Sequence, residues 1–173
     1  EWVFGQCTKL TSAVIQAKVS TIDINTFNGC DALQTISLSS SISSLPDNTF
    51  GNLKALQSIS VPDENMSLKS VDGVLYDKNT TRLICFPANK NVTTYTVPET
   101  VTEIGAYAFR NNQNLTSITI PKSVKSIGTQ AFYFCTKLSD VYIKQTESEL
   151  FKDSYISSKV TKHWNSTGPA QVN

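Results

Sequence analysis

A period of 23 residues runs through most of the chain, and a chain that repeats at that length folds by stacking its repeats. The clearest unit carries Leu115, Ile118, Ile120, Pro121, Val124, Ile127, Gly128, Ala131, Phe132 and Cys135. Twenty-three residues earlier, Val92, Tyr95, Val97, Pro98, Val101, Ile104, Gly105, Ala108 and Phe109 hold the same places. The phase recurs in Leu33, Ile36, Leu38, Ile42, Leu45, Phe50 and Leu53, and before them in Leu10, Ala13, Ile15, Val19, Ile22, Phe27 and Cys30. Units therefore span 10–32, 33–55, 92–114 and 115–137. Phe4 and Cys7 end a truncated unit, and Leu138, Val141 and Ile143 open a last one.

One such unit is too small to bury its own apolar side, so neighbours bury it for each other along one elongated core. In Leu-x-x-Ile-x-Ile the apolar residues point inward and those between them outward, as strand alternation requires. Pro98 and Pro121 directly follow the strand and end it, because proline has no N–H for a further ladder bond. Gly105 and Gly128 are expected to supply a tight turn with positive φ. The Ala-Phe-x-x-Cys stretch is expected to form a short helical or 3₁₀ turn whose ring plugs the core. Phe4, Phe27, Phe50, Phe109 and Phe132 then stack along the array.

The unit opened by Leu56, Ile59, Val61 and Pro62 does not close on time. It runs over 56–91, which is 36 residues, 13 more than the period. The excess holds Val71-Asp-Gly-Val74-Leu75-Tyr76, the polar run Asp77 to Thr81, and Arg82-Leu83-Ile84-Cys85-Phe86-Pro87. Two apolar runs around a polar turn signal a β-hairpin, expected to project from the middle of the stack.

The string Leu-x-x-Ile-x-Ile-Pro-x-x-Val-x-x-Ile-Gly-x-x-Ala-Phe-x-x-Cys resembles the BspA-type leucine-rich repeat of bacterial and protist surface proteins, and the inserted Asp-Gly-Val-Leu-Tyr-Asp resembles a feature of the same family. The resemblance covers roughly 1–145. It implies an α/β repeat fold: a right-handed leucine-rich-repeat array with a parallel strand sheet on one face, short helical turns on the other and one inserted β-hairpin. It also implies a surface or secreted protein used in adhesion, recognition or host contact. The units at 10–32 and 33–55 depart from the pattern, with Gln16 and Ser39 where Pro is expected and Pro46 in place of Gly.

Two domains are expected, the solenoid at 1–145 and a C-terminal cap with tail at 146–173. Thr146-Glu147-Ser148-Glu149 reads as a capping box opening a helix with Leu150, Phe151 and Tyr155 on its apolar side. The alternative is a degenerate repeat continuing the array. From Asn165 to Asn173 the composition is that of a mobile tail. The chain opens on Glu1-Trp2-Val3-Phe4 without Met, which reads as a processed chain or a fragment, so that any export signal or anchor would lie outside it. Trp2 and Phe4 would expose core if nothing precedes them.

Catalytic and metal-binding patterns find little support. The one histidine, His163, has no cysteine or acidic partner at a recognisable spacing, and the four cysteines form no CxxC pair. No cofactor is expected. A net charge of +1 points neither to nucleic acid nor to an anionic membrane, and no apolar stretch is long enough to span a bilayer. Cys7, Cys30 and Cys135 share one column with Leu53 and Asn112, which reads as small buried hydrophobes. Cys7 and Cys30 lie in adjacent units, so a disulfide between them is the other reading. Cys85 lies on the hairpin without a mate.

Asn65, Asn79, Asn91, Asn114 and Asn165 head N-glycosylation sequons, which together fit a eukaryotic secreted chain. The charged fraction is only 17%, so the surface is polar but mostly neutral. By alternation, the outward strand residues are Ser12 and Val14, Thr35 and Ser37, Ser58 and Ser60, Thr94 and Thr96, Ser117 and Thr119, then Asp140 and Tyr142. This hydroxyl ribbon with an acidic, aromatic end is the candidate ligand surface, although strand propensity alone also favours Thr. The expected function is a non-enzymatic recognition or adhesion module, extracellular or at a cell surface. Its partner would be a protein or glycan, on a host surface or in extracellular matrix. The alternative is a structural component that self-associates.

Overall fold

The structure is a computed structural model that describes residues 4–16, 18–145, 149–166 and 168. It is a β-solenoid of about six coils. Strands β1 (Ser12–Val14), β2 (Thr35–Ser37) and β3 (Ser58–Ser60) form a parallel sheet with a 23-residue register, Ser12 opposite Thr35 and Thr35 opposite Ser58. The insert comes next as β4 (Leu68–Val71), β5 (Val74–Asp77) and β6 (Arg82–Cys85). Beyond it, β7 (Thr94–Thr96), β9 (Ser117–Ile120), β11 (Asp140–Ile143) and β12 (Thr161–Trp164) make a second parallel sheet, and β8 (Glu103–Ile104) and β10 (Ser126–Ile127) extend the insert.

The wall opposite the strands differs from expectation. The only helical segment among the described residues is one 3₁₀ turn, Glu149–Phe151. The expected helical turns are β-turns, accompanied by a second short ladder that pairs β8 with β10 and Thr21 with Ser44. The cause lies in where the backbone donors go. Tyr107, Phe109 and Asn111 donate their N–H groups to Thr129, Ala131 and Tyr133 of the next coil, not four residues back along their own. Five residues are too few to nucleate a helix against that competition.

Gly105 and Gly128 do not adopt positive φ. Gly128 is needed for room: a Cβ there would lie 2.3 Å from Ala106 N. In those coils positive φ falls two residues later, at Tyr107 (60°) and Gln130 (53°), while Asp72 (49°) and Gly73 (78°) make the two-residue turn between β4 and β5.

The insert does not project. Antiparallel β4, β5 and β6 lie in the wall, and β6 pairs parallel with β8. Alternation along β5, together with a register shift between β5 and β6 that pairs Leu75 with Cys85 and Tyr76 with Leu83, splits its side chains between two cores. Leu75 and Cys85 are buried with Phe27, Leu33, Ile36, Phe50 and Ile59, whereas Val74, Tyr76 and Leu83 are buried with Phe86, Phe109, Ile118 and Phe132. The insert is thus a partition between an N-terminal and a C-terminal core. The aromatic stack divides with it. Phe4, Phe27 and Phe50 are spaced at 5.6 and 6.2 Å. Phe86, Phe109, Phe132 and Phe151 are spaced at 5.0, 5.1 and 6.4 Å. Burying each such ring contributes about 2 kcal/mol. Arg82 joins the halves at the surface, 2.9 Å from Asp47 and 2.8 Å from Glu103.

Among the described residues the expected cap helix does not form. Thr146, Glu147 and Ser148 of the supposed capping box lie outside the described residues, as do Trp2 and most of the tail. After the 3₁₀ turn the chain forms β12, paired parallel to β11, with Leu150, Phe151, Ile156 and Trp164 packed on the C-terminal core. This segment therefore forms a further, degenerate coil stacked on β11.

Candidate functional site

The outward strand residues form two straight rows. Ser12, Thr35 and Ser58 align, as do Val14, Ser37 and Ser60. Beyond the insert, Thr94, Ser117, Asp140 and Thr161 align, as do Thr96, Thr119, Tyr142 and His163. Backbone ladders set these rows, so their spacing is fixed. The hydroxyls of Thr35, Thr94 and Thr96 are exposed and form no hydrogen bond to another described residue. Two members differ from expectation. Thr119 is buried, because the backbone at Gly168 passes over it, and a Cβ there would lie 3.3 Å from Thr119 Oγ1. Ser58 is half-buried, since the Gly73 turn closes on its hydroxyl. The ribbon therefore consists of two shorter ladders on either side of the insert.

The C-terminal end of the ribbon is a cluster that sequence reading missed. His163 Nε2 and Asp140 Oδ1 are 2.7 Å apart, and Ser139 Oγ donates to Asp140 Oδ2 at 2.6 Å. The His163 ring stacks on Tyr142, with centroids 4.5 Å apart and planes 10° from parallel. The hydrogen bonds from Ser139 and His163 hold the Asp140 carboxyl below its ordinary value. The sequence does carry a signal: His163 lies 23 residues after Asp140. The last coil is shorter, with Thr161 opposite Asp140, but a two-residue change keeps every side chain on its face.

The order of these groups is not that of a hydrolase relay. In such a relay the imidazole lies between hydroxyl and carboxylate and takes the hydroxyl proton. Here the carboxylate lies between the two. The cluster offers a carboxylate, a hydroxyl, an imidazole and a phenol at one open edge, which suits hydrogen bonding to a polar partner. No group of His, Cys, Asp and Glu that could hold a metal is present among the described residues. No helix among them is long and apolar enough to cross a membrane.

The remaining candidates separate by burial. Asn65 is fully buried and cannot carry a glycan in this fold. Its Nδ2 donates to the carbonyls of Ser39 (3.0 Å) and Ile42 (2.9 Å), and its Oδ1 accepts from the N–H groups of Ser67 (2.8 Å) and Leu68 (2.7 Å). Asn112 uses the same device on Pro87, Asn114 and Leu115. Asn79, Asn91 and Asn165 are exposed, and the Asn114 amide is bonded to Asn89 and Lys90. Cys7 and Cys30 are free thiols rather than a disulfide. Cys30 donates to the Phe4 carbonyl and Cys135 to that of Phe109, the same contact in both halves. Burial pushes the Cys85 and Cys135 thiols up to about 12, so both stay protonated and inert.

Comparison with known proteins agrees with this geometry. The family described as BspA type leucine rich repeat region matches residues 1–76 and 79–167, in six copies. No match is found among curated protein sequences. Among solved structures, a leucine-rich repeat protein from Eubacterium ventriosum is similar at 25% identity and a TM-score of 0.65, covering 87% of this chain and 47% of that one. A leucine rich cell surface protein from Faecalibacterium prausnitzii is similar at 23% identity and a TM-score of 0.68, covering 92% and 48%. The pneumococcal vaccine antigen PcpA is similar at 20% identity and a TM-score of 0.63, covering 89% and 62%. The chain spans about half the length of the first two structures.

Proposed function

The chain belongs to the BspA-type leucine-rich-repeat family, and on that premise we propose that it is a non-enzymatic recognition or adhesion module, secreted or at a cell surface. Protein or glycan binds through the outward strand face. The observation that carries this reading is the C-terminal ladder: free Thr94 and Thr96 hydroxyls lead in fixed register to the Asp140, Tyr142 and His163 cluster. A rigid row of neutral donors and acceptors closed by an aromatic pair suits contact of moderate affinity, with the aromatic end as anchor. The similar Faecalibacterium structure is that of a cell surface protein, which supports the location.

The test is a panel of glycans and extracellular-matrix proteins presented to the wild-type chain and to Tyr142→Ala and His163→Ala variants. At least one partner is expected to bind, with both variants roughly tenfold weaker or more. Binding that ignores both variants would move recognition off this face.

A further inference from the structure

Away from the strand face, two turns carry aromatic residues that the fold does not require. Phe134 stands just before the Cys135 column, where other coils place Gln6, Gly29 and Asn111. These four have left-handed backbone, with φ of 60°, 63°, 78° and 61° respectively, as does the half-buried Tyr107 (60°), whereas Asn52, which stands before Leu53 in the same column, does not. Glycine and asparagine reach that region at little cost, whereas a bulky ring there is an outlier. Burial does not offset the strain, because Phe134 is 54% exposed. Tyr155 repeats the anomaly one coil later, with φ of 55° and 56% exposure. Strained backbone that gains no burial points to a role outside folding.

The two rings flank a cleft of about 320 Å³. Phe132, Leu138 and Val160 are apolar in its lining, and Thr136, Ser157 and Lys159 are polar. The rings are propped in place. Tyr133 lies 4.3 Å from Phe134 and 5.7 Å edge-on from Tyr155, and the Arg110 guanidinium lies 5.2 Å over Tyr133. No carboxylate lines the cleft, and Lys159 forms no ion pair among the described residues. The site is therefore cationic and cannot hold a metal ion.

We propose that this cleft binds an acidic saccharide. A sugar ring has apolar C–H faces and a hydroxyl rim, which matches exposed aromatic rings beside Thr136 and Ser157. Its carboxylate pairs with Lys159. A wholly apolar ligand would leave the lysine and hydroxyls unmatched. The walls are turns, which offer a peptide backbone no strand edge to extend. The volume falls at the small end of ligand pockets, fit for one or two rings. The site is separate from the strand face and goes beyond the function proposed for it.

The test uses calorimetric titration of the full chain with a hyaluronan tetrasaccharide, 3′-sialyllactose and a galacturonate trisaccharide, with chitotriose and lactose as neutral controls. At least one acidic probe is expected to bind roughly tenfold more tightly than the neutral sugars. Phe134→Asn and Tyr155→Ala should each weaken it roughly tenfold or more, and Lys159→Gln should reduce it to the neutral level. Because Asn suits left-handed backbone, Phe134→Asn should keep or raise the melting temperature while losing the ligand. Any of four results overturns the proposal: no acidic probe binding more tightly than roughly 1 mM, binding that survives Phe134→Asn, a lowered melting temperature for that variant, or binding lost instead through Tyr142→Ala. The last would leave the strand-face function standing while removing this one.

Discussion

Replacing Asn65 by alanine tests whether this sequon is structural. The side chain has no exposed surface and makes four hydrogen bonds, all to backbone groups. Two of its acceptors, at Ser39 and Ile42, lie in the preceding coil, and its two donors, at Ser67 and Leu68, open β4. Alanine leaves all four groups without that partner. At about 1 kcal/mol of net worth each, the loss is about 4 kcal/mol, less whatever an entering water recovers. For a domain of this size, each kcal/mol moves the melting temperature by roughly 2–4 °C, so a fall of roughly 8–16 °C is expected. Calorimetry or circular dichroism reads this directly. Asn79→Ala, at an exposed turn, serves as control and should leave the melting temperature unchanged. A loss below about 1 kcal/mol for Asn65→Ala would mean that these four bonds do not hold the coil together. In a eukaryotic secretory host, mass spectrometry should also find Asn65 unglycosylated.

Further outcomes concern the two cores and their junction. Phe109→Ala removes a ring stacked on both Phe86 and Phe132 and should cost about 3–5 kcal/mol in denaturant titration. Arg82→Gln breaks two half-exposed ion pairs and should cost about 1 kcal/mol, a difference that shrinks in high salt. The Asp140 carboxyl titrates below its ordinary value of 3.8 in the fold, so its contribution is present at neutral pH and lost as pH falls below about 4. Asp140→Asn should therefore flatten the fall of melting temperature with pH across that acidic window, and an unchanged acid profile would contradict the assigned bonds.

Much of this architecture is legible in the sequence because the period sets phase, and phase sets face. The columns of Phe27, Phe50, Phe109 and Phe132 and the outward rows follow from counting alone. The features that counting misses are decided by partners distant in the chain. The Ala-Phe-x-x-Cys turns resemble helix starts locally, but their N–H groups are taken by the next coil. The insert reads as a hairpin in isolation. Only its alternating burial against two cores makes it a partition. Asn65 reads as a sequon because that motif is local. Its position three residues before Leu68 matches Asn112 before Leu115 and Cys30 before Leu33, a pattern that marks a buried column. His163 reads as tail because the last coil is shortened and its period obscured.

The proposed recognition surface is the outward strand face. Its most direct test is the affinity of a panel-selected partner for the wild type against a Thr94→Glu, Thr96→Glu and Ser117→Glu triple variant of unchanged melting temperature. These positions face outward from β7 and β9 and leave both cores untouched. Binding through this face predicts an affinity weakened by at least roughly tenfold; an unchanged affinity in a folded variant would contradict it.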